Sequence, residues 1–366
     1  MRSLFNSVLL GSTLVIVLAS HSSASAEAAK SAVAIDPIQG IVSQFKTHSV
    51  VALGDGVFHG EQNSHEFRLS LIHDPRFQAT VDDIVLEAYN SRYQSVVDSY
   101  VLGREVQPEE LQKAWRDSTQ VSPGVDAPMR AEILAAIRDV NAKLPDDSKL
   151  RVLLADPPID WSRVKRKEDV DAYVSKRESF AAELIEREVL QRGRKALVIF
   201  GQMHLVRHDL FANFSGESQW LLPLLERQSR IRAFTVWVAA NLEDVQPDIK
   251  GWSIPSLTVI EGTRLGAMSF SYYYPHEVAR FTQHDGKPVL IRKSEWRKAP
   301  DMQAQVDAIL YMGPQAALRR YTLELDKCND PSYVALRLER MRLVNYPSPE
   351  ESLRSSCSSL NTVPTR

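Results

Sequence analysis

Cysteine is scarce in this sequence, and the places of its two cysteines exclude several kinds of site. Cys328 and Cys357 lie near the carboxyl end of the 366 residues, away from every predicted strand end, so a cysteine nucleophile is not indicated. The sequence has no C-x-x-C-H element, which excludes covalently attached haem of the c type. In an oxidising compartment the two thiols could form a disulfide, and the sequence leaves open whether they do.

The sequence also lacks an excess of charge of either sign, and it lacks long apolar runs after its amino terminus. The net charge is −2, with acids and bases spread along the chain, so there is no basic stripe for nucleic acid and no polybasic anchor for lipid. Beyond residue 26 no segment is long and apolar enough to cross a membrane. The sequence therefore predicts neither a nucleic-acid partner nor a stable membrane anchor in the mature chain, and it leaves the oligomeric state open.

Three widespread catalytic motifs are absent as well. The sequence contains no G-x-S-x-G nucleophile turn, no H-E-x-x-H helix and no G-x-x-x-x-G-K-[ST] phosphate loop. A serine nucleophile of the α/β-hydrolase kind, a zinc-peptidase helix of this kind and a P-loop nucleotide site are therefore not indicated.

The amino terminus has the three parts of a secretory signal peptide. Arg2 supplies the positive region, residues 4–19 form an apolar core, and Ala24-Ser25-Ala26 has the small-x-small pattern of a cleavage site. The pattern predicts cleavage after Ala26 and a periplasmic or secreted protein. The alternative is an uncleaved anchor helix, which the short and interrupted apolar stretch disfavours.

Short apolar runs alternate with stretches of helical spacing along the chain. Strands are predicted over 50–55, 83–88, 150–155, 195–201, 232–240 and 307–312, and helices over 61–72, 92–102, 108–118, 127–142 and 169–192. This alternation is typical of an α/β fold with a mainly parallel sheet flanked by helices. We expect one α/β domain over 27–346. Within it, 90–148 forms a helical insertion or cap over the carboxyl edge of the strands. A flexible tail is expected over 347–366.

Two G-x-x-H elements, at 56–59 and 201–204, each follow a continuous apolar run. A run of this kind that ends at glycine indicates a strand buried on both faces. Each histidine should therefore stand just past the carboxyl end of a strand in a parallel sheet, which is the edge where open α/β sheets bind ligands.

Other ionisable side chains follow the same predicted strands. They are Asp55 and His59 after the first strand, Glu87 and Arg92 at the second, Asp156 after the third, and His204, Arg207 and His208 after the fourth. Carboxylates and imidazoles gathered in one cleft are what general acid–base hydrolysis needs. They are also ordinary ligands of zinc and manganese.

Each of these residues also has a purely structural interpretation. His59 could cap the helix that follows it, and His204 and His208 could lie one turn apart on a solvent-facing helix. Glu87 interrupts an apolar strand and needs a partner, which Arg68 or Arg92 could supply as a structural ion pair. Asp156, which precedes two prolines, could be a turn residue.

The motifs resemble those of the erythromycin-esterase-like branch of a superfamily that also includes the ChaN-type haem-binding lipoproteins and the Tiki proteases. The resemblance rests on LGDGVFHG, LEAY and SYVLG within 51–103, and on LVIFGQMHLVRH at 197–208. It covers roughly residues 45–105, 150–210 and 305–314. The resemblance implies a parallel or mixed sheet with an active site at the carboxyl ends of the strands.

Carried over residue by residue, the resemblance implies that His59 is a general base that activates water for attack on an ester carbonyl. Arg68 matches the arginine of the following helix, Glu87 the acid after the second strand, and His204 the later histidine. In one respect the sequence departs from the esterases, which carry an acid directly after the glycine, as G-E-x-x-H. Here the nearest acid before the histidine is Asp55, four residues away, and the acid-free G-x-x-H is closer to the Tiki form.

Three functional hypotheses follow, each with a small-molecule substrate or ligand. The first is an exported esterase-like hydrolase that needs no cofactor, with catalytic residues His59, Glu87, His204 and Asp55 and substrate-binding residues Arg68, Arg92, Asp156, Arg207 and His208. The second is a Tiki-like hydrolase in which His59, Glu87 and His204 bind a divalent metal, zinc or manganese. The third is a ChaN-like binding protein that takes haem or another small ligand without catalysis.

Overall fold

A seven-stranded sheet forms the centre of the computed structural model, which describes residues 29–208, 219–273, 280–284, 287–291, 300–321, 323 and 325–357. The strands of the described residues are β1 (Val50–Gly54), β2 (Asp83–Asn90), β3 (Arg151–Asp156), β4 (Ala196–Phe200), β5 (Phe234–Ala239), β6 (Ser256–Val259), β7 (Arg280–His284), β8 (Lys287–Ile291) and β9 (Ala308–Tyr311). All of them except β7 and β8 belong to this sheet. The order in the sheet is β3-β2-β4-β1-β5-β9-β6, with all pairs parallel except β9 with β6. The predicted α/β fold with a mainly parallel sheet is confirmed.

All six predicted strands are present, and three further strands were not predicted. Strand β6 has only four residues and ends at the exposed Val259, so it lacks a long apolar run. Strands β7 and β8 pair with each other in a separate two-stranded antiparallel sheet. All three of these strands lie in the stretch 240–305, where the sequence carries no recognised motif.

Helices cover both faces of the sheet. The α-helices of the described residues are α1 (Pro37–Gln44), α2 (Gln62–His73), α3 (Pro75–Gln78), α4 (Gln94–Val101), α5 (Pro108–Arg116), α6 (Met129–Asn141), α7 (Lys167–Val174), α8 (Arg177–Glu188), α9 (Leu221–Ser229), α10 (Arg264–Ala267), α11 (Phe270–Tyr273), α12 (Met302–Gln305), α13 (Leu325–Cys328), α14 (Pro331–Leu343) and α15 (Pro349–Cys357). Val51 and Leu53 of β1 pack with α1, α2 and α6, whereas Val50 and Ala52 pack with α8 and α9. Strand β1 is buried on both faces, as its apolar run predicts.

The insertion at 90–148 covers one face of the sheet and one of its ends. Helices α4 and α6 pack on each other, and α6 also packs on α2 through the buried residues Ile133 and Ile137. The segment that joins α5 to α6, with the short 3₁₀ helix Pro123–Asp126, passes over the carboxyl ends of the strands. The part of the insertion that caps this edge is therefore the connecting segment, while its helices flank the sheet.

The ends of the chain are described in part. The predicted signal peptide, residues 1–26, lies outside the described residues. No helix in the described ranges has the length and apolarity that a membrane span requires. In the tail predicted over 347–366, residues 349–357 instead form helix α15, which buries Leu353, and residues 358–366 lie outside the description. A disulfide joins Cys328 to Cys357 and fixes α15 to α13.

We expect this disulfide to stabilise the carboxyl-terminal helices substantially. It closes a loop with a sequence separation of 29 residues. Loop-closure entropy then predicts that the double variant Cys328→Ser/Cys357→Ser loses about 3–4 kcal/mol in free energy of unfolding. Urea unfolding measures the loss, and native chain treated with a reductant is the control that should match the variant. An unchanged urea midpoint would show that helices α13 to α15 hold together without the bond.

Candidate active site

Three of the predicted side chains converge on Gly201, at the carboxyl end of β4. A Cβ atom at residue 201 would lie 2.8 Å from Cε1 of His59, 3.3 Å from Oε2 of Glu87 and 3.3 Å from Cδ2 of His204. The absence of a side chain at this residue therefore leaves the space in which the three groups meet. The ends of β1, β2 and β4 come together because β1 and β2 are the two neighbours of β4 in the sheet.

His59 is oriented by the carboxylate of Asp55. Its Nδ1 lies 2.6 Å from Oδ2 of Asp55, which directly follows β1. The backbone N–H of Asp55 donates to the carbonyl of Phe200, and its carbonyl accepts from the buried guanidinium of Arg68. Gly56 makes the turn between them with a φ of +145°, a conformation that favours glycine. These contacts hold the Asp55 carboxylate in place beside Nδ1 of the imidazole.

The pair has opposite effects on the two pKa values. The charge of Asp55, and then its hydrogen bond, raises the pKa of His59 to about 9 despite partial burial. Burial raises the pKa of Asp55, but His59 and Arg68 outweigh it, so the carboxyl stays below its ordinary value. The side chain of His59 is 73% exposed to solvent.

A bulge in β2 places Glu87 at the site. The register with β3 shifts between Leu86 and Asn90, and Ala88 has a φ of +63°. A residue other than glycine in this region costs roughly 1–2 kcal/mol, and bulges beside active sites redirect side chains. One oxygen of Glu87 accepts from the backbone N–H of Gly201 at 2.6 Å, and the other accepts from Arg177 at 2.7 Å.

Glu87 is an ionised carboxylate although it is buried. Burial alone would raise its pKa, but the charges of His204, Arg177 and His59, with the N–H of Gly201, hold the pKa of this carboxyl well below its usual range. The side chain of Gln120 adds a further donor at 2.9 Å. Glu87 is thus not a proton donor at neutral pH, and its oxygens already have protein partners.

His204 lies between two carboxylates. Its Nδ1 is 2.6 Å from Glu178 on α8, and its Nε2 is 3.4 Å from Glu87. Burial lowers the pKa of this imidazole, but the two carboxylates outweigh the burial and raise it. The ring of Trp220 packs edge-on at 5.3 Å. Both nitrogens of His204 therefore face carboxylates of the protein, and neither faces the substrate space as a free base.

Asp156 acts on the site through Arg177. One of its oxygens accepts from Nε of Arg177 at 3.0 Å, and the other accepts from the backbone and hydroxyl of Thr119. The carboxylate is buried, with 1% of the residue exposed. The structure corrects the assignment of this residue to substrate binding, because its oxygens face Arg177 and Thr119. Arg177 joins Asp156 to Glu87 and so extends the network from β2 to β3.

Three other predicted substrate-binding residues lie away from the site. Arg92 pairs with Asp160 at 3.2 Å beside a different groove. Arg207 is buried and pairs with Asp307 at 2.6 Å, at the amino ends of β5 and β9, and the backbone of His208 bonds the side chain of Gln305 there. The prediction is corrected because the chain after β4 returns across the sheet to the opposite edge within seven residues. Arg68 lies behind the site, where it holds the carbonyl of Asp55.

A cavity of about 270 Å³ opens beside His59 and Asp55, and we call it the site cavity. Its lining comes from three parts of the chain, namely the end of β1, the segment between α5 and α6, and the carboxyl-terminal region. The polar and charged residues that line it are Asp55, His59, Gln120, Ser122, Arg130, Arg320, Tyr321, Ser355 and Ser356. Sequence reasoning missed Gln120, Arg130 and Arg320, because none of them lies within a few residues of the end of a predicted strand.

The donor set at the site does not fit a divalent metal. Both nitrogens of His204 face carboxylates, and both oxygens of Glu87 accept hydrogen bonds from N–H groups. A ligand set of His59, Glu87 and His204 would have to break these contacts. Across the described ranges, no group of three histidine, cysteine or acidic side chains is arranged to hold a metal ion.

Comparison with protein-family models and with curated proteins finds no match. Solved structures do match. A protein of Bacillus cereus is 11% identical, over 79% of this chain and 92% of its own, with a TM-score of 0.45. An erythromycin esterase mutant in its open conformation is 12% identical, over 75% of this chain and 92% of its own, with a TM-score of 0.44. ChaN of Campylobacter jejuni, described with cofacially bound haem, is 12% identical, over 56% of this chain and 86% of its own, with a TM-score of 0.35. The chain is thus similar to each of these structures, at 11–12% sequence identity.

Proposed function

We propose that this chain is an exported hydrolase that acts on an ester or related bond of a small molecule, with His59 as the base that activates water. The observation that carries the proposal is the contact of 2.6 Å between Nδ1 of His59 and the carboxylate of Asp55 beside the site cavity. A carboxylate in this position holds the proton on Nδ1 and leaves Nε2 to accept one from water. It also stabilises the imidazolium that forms when the proton is taken up.

The acid that the G-x-x-H sequence lacks is supplied from the amino-terminal side of the motif. Asp55 reaches the imidazole because the intervening Gly56 takes a backbone conformation that other residues rarely adopt. Glu61, on the other side, is buried and accepts from the backbone N–H groups of Val57 and Ser64, so it fixes the loop instead of orienting His59. Asp55 is therefore the residue that orients the base.

Arg130 is placed to face the negative charge that develops on the attacked carbonyl oxygen. It lines the site cavity together with His59, and one guanidinium nitrogen donates to the carbonyl of Glu87 at 2.9 Å. Its Nε is buried without a hydrogen-bond partner among the described residues. A fixed cation beside the reacting group stabilises an oxyanion more than it stabilises the neutral carbonyl. His204 cannot take this role, because both of its ring nitrogens face carboxylates, and Arg68 donates to the carbonyl of Asp55 behind the site.

Two features of the sequence support export. The first 26 residues have the pattern of a signal peptide. The two cysteines of the chain form a disulfide, a bond that is rare in reducing compartments. A periplasmic or secreted location follows from these features as part of the proposal, and it can be tested by fractionation of cells that express the full chain.

The pH dependence of ester hydrolysis tests the proposal. Because only neutral imidazole accepts a proton, kcat/KM should rise with pH through the pKa of His59, which Asp55 and Glu87 raise towards 9 and Arg130 lowers. In Asp55→Asn that charge is gone, so the rising limb should move to lower pH, towards the ordinary 6.5. The plateau should also fall by roughly 100-fold or more, because the ring loses its orienting partner.

The measurement uses a panel of small aryl and alkyl esters with the purified mature chain, with and without a chelator. If the rising limb of the kcat/KM profile stays at the same pH in Asp55→Asn, Asp55 has no part in the mechanism. Activity that a chelator abolishes and zinc restores would favour the metal-dependent hypothesis. Absence of turnover across the panel would reject a hydrolase acting on these bonds and leave a binding protein.

A further inference from the structure

The site cavity contains more positive charge than the proposed reaction requires. Its only acidic side chain, within the residues that line it, is Asp55, which is paired with His59. Against it stand His59 itself and two arginines from different parts of the chain, Arg130 at the start of α6 and Arg320 after β9. A small cavity with this imbalance attracts anions, because the cationic groups that line it outnumber its single carboxylate.

Arg320 lines the site cavity and has no acidic partner among the residues that the structure describes. Its guanidinium lies 4.2 Å from the ring centre of Phe58 and donates to the carbonyl of His59 at 3.3 Å. The backbone next to it is fixed, since Tyr321 donates to the carbonyl of Gly60 at 2.8 Å. No carboxylate of the described ranges lies within ion-pair distance of Arg320 or Arg130, whereas the neighbouring Arg319 pairs with Glu66 at 2.6 Å. An arginine that stacks on an aromatic ring and lacks a protein anion has donors left for a bound one.

Hydroxyl groups complete the polar lining beside Arg320. Ser355 and Ser356 come from α15, and Tyr321 contributes its side chain from the segment after β9. The disulfide at Cys357 fixes α15 at this place. The serines and Arg320 therefore add polar groups to the lining of the site cavity from parts of the chain other than the one that supplies Arg130.

We propose that the substrate of this site carries an anionic oxygen group, a carboxylate or a phosphate, which Arg320 binds while the scissile bond lies at His59 and Arg130. This assignment deepens the proposed function and rests on it for the reaction, but not for the binding of the anion. The cavity volume of about 270 Å³ limits the substrate to a small molecule. Arg320 acts here in recognition, because it contacts the backbone of His59 and not its imidazole.

Matched esters test the turnover of an anionic substrate. The mono-4-nitrophenyl ester of succinic acid carries a free carboxylate, and 4-nitrophenyl butyrate is its neutral counterpart of similar size. The native chain should hydrolyse the charged ester with a lower KM. In Arg320→Gln the KM for the charged ester should rise about tenfold, the loss expected when a charged hydrogen bond is removed. The kcat for both esters and the KM for the neutral one should stay within twofold of native.

Arg319→Gln is the matched control, because it removes a neighbouring exposed arginine that already pairs with Glu66. It should leave the kinetics of both esters unchanged. Equal KM values for the two esters in the native chain, or an equal effect of both arginine variants, would overturn the inference while the hydrolase itself stands.

Anion binding is measured separately from turnover, by calorimetric titration of the full chain with succinate and with inorganic phosphate. Native chain and Arg319→Gln should bind at least one of the two anions, and Arg320→Gln should bind it about tenfold more weakly. If no ester is hydrolysed but this difference is found, the anion site is supported and the proposed hydrolase is rejected. If neither anion binds the native chain, the anion site is rejected whatever the kinetics show.

Discussion

Replacement of His59 by glutamine is expected to lower kcat/KM for ester hydrolysis by roughly 10³–10⁴-fold, the upper part of the range for a general base. Glutamine keeps an N–H group that can donate to Asp55, but it has no nitrogen that accepts a proton from water. The side chain of His59 is 73% exposed, so the substitution removes little packing. Above pH 9 the imidazole has lost the charge that Asp55 stabilises, so the free energy of unfolding should change there by less than about 0.5 kcal/mol. The loss of activity then reports on chemistry and not on folding.

His73→Gln is the matched control for this prediction. His73 lies exposed at the end of α2, and its Nδ1 contacts only the carbonyl of Leu69 at 2.8 Å, within the same helix. Its replacement should leave kcat/KM unchanged. Hydrolysis by His59→Gln at more than a tenth of the native rate would show that another group activates the water. The measurement is a comparison of initial rates for the three proteins on the same ester, at a pH above 9.

The sheet and the approach of His59 to His204 could be predicted because both depend on local patterns. Each apolar run ends at a glycine, and a strand buried on both faces needs such a run. Once the strands are parallel, their carboxyl ends share an edge, so the residues that follow β1 and β4 must meet. No knowledge of side-chain contacts is required for this step. The observed convergence at Gly201 is a consequence of strand order.

The partners of these residues could not be predicted, because they come from distant helices. Arg177 bonds Glu87 across 90 positions in the sequence, and Glu178 bonds His204 across 26. The pattern of α8 shows only an amphipathic helix with charged residues at its start, which is typical of any exposed helix. The sequence indicated that Glu87 needs a buried partner, but it pointed to Arg68 or Arg92. The bulge at Ala88 turns Glu87 towards Arg177 instead.

The errors at Arg207 and His208 have a different origin. Distance along the chain from a strand end is a poor measure of position once the chain turns. After β4 a short 3₁₀ helix, Gln202–Leu205, reverses the direction, so the next residues return to the amino edge of the sheet.

The contribution of α15 to the site cavity was hidden for another reason. A Ser-rich segment has a composition typical of a tail, and only the disulfide partner of Cys357 shows where it is held.

Replacement of Arg177 by methionine is expected to lower the free energy of unfolding by about 3–5 kcal/mol, because removal of one partner of a buried ion pair leaves an uncompensated charge. Here two carboxylates would be left, since Glu87 lies 2.7 Å and Asp156 3.0 Å from this guanidinium. Both side chains are less than a tenth exposed. Methionine fills much of the same volume, so the loss of packing is small.

The loss should depend on pH in a defined direction. In the native chain the pKa of Glu87 lies below its ordinary value of 4.5, so this carboxylate stabilises the fold above that pH and less as the pH falls. In Arg177→Met the pKa of Glu87 rises, and the carboxyl can be buried in its neutral form once it is protonated. The difference in stability between the two proteins should therefore be full at neutral pH and narrow below about pH 4.5.

Urea unfolding at pH 7 and pH 4 measures both effects, with Arg187→Met as the matched control from the same helix. Arg187 is 56% exposed and pairs only with Glu188 at 3.0 Å, so its replacement should change stability by less than about 0.5 kcal/mol at either pH. The double variant Arg177→Met/Glu87→Gln should recover part of the loss at pH 7, because a neutral amide no longer repels Asp156. Equal losses in the two single variants would mean that Arg177 contributes no more than a surface arginine. In that case the alignment of Glu87 and His204 would have to come from Glu178 and the backbone of Gly201 alone.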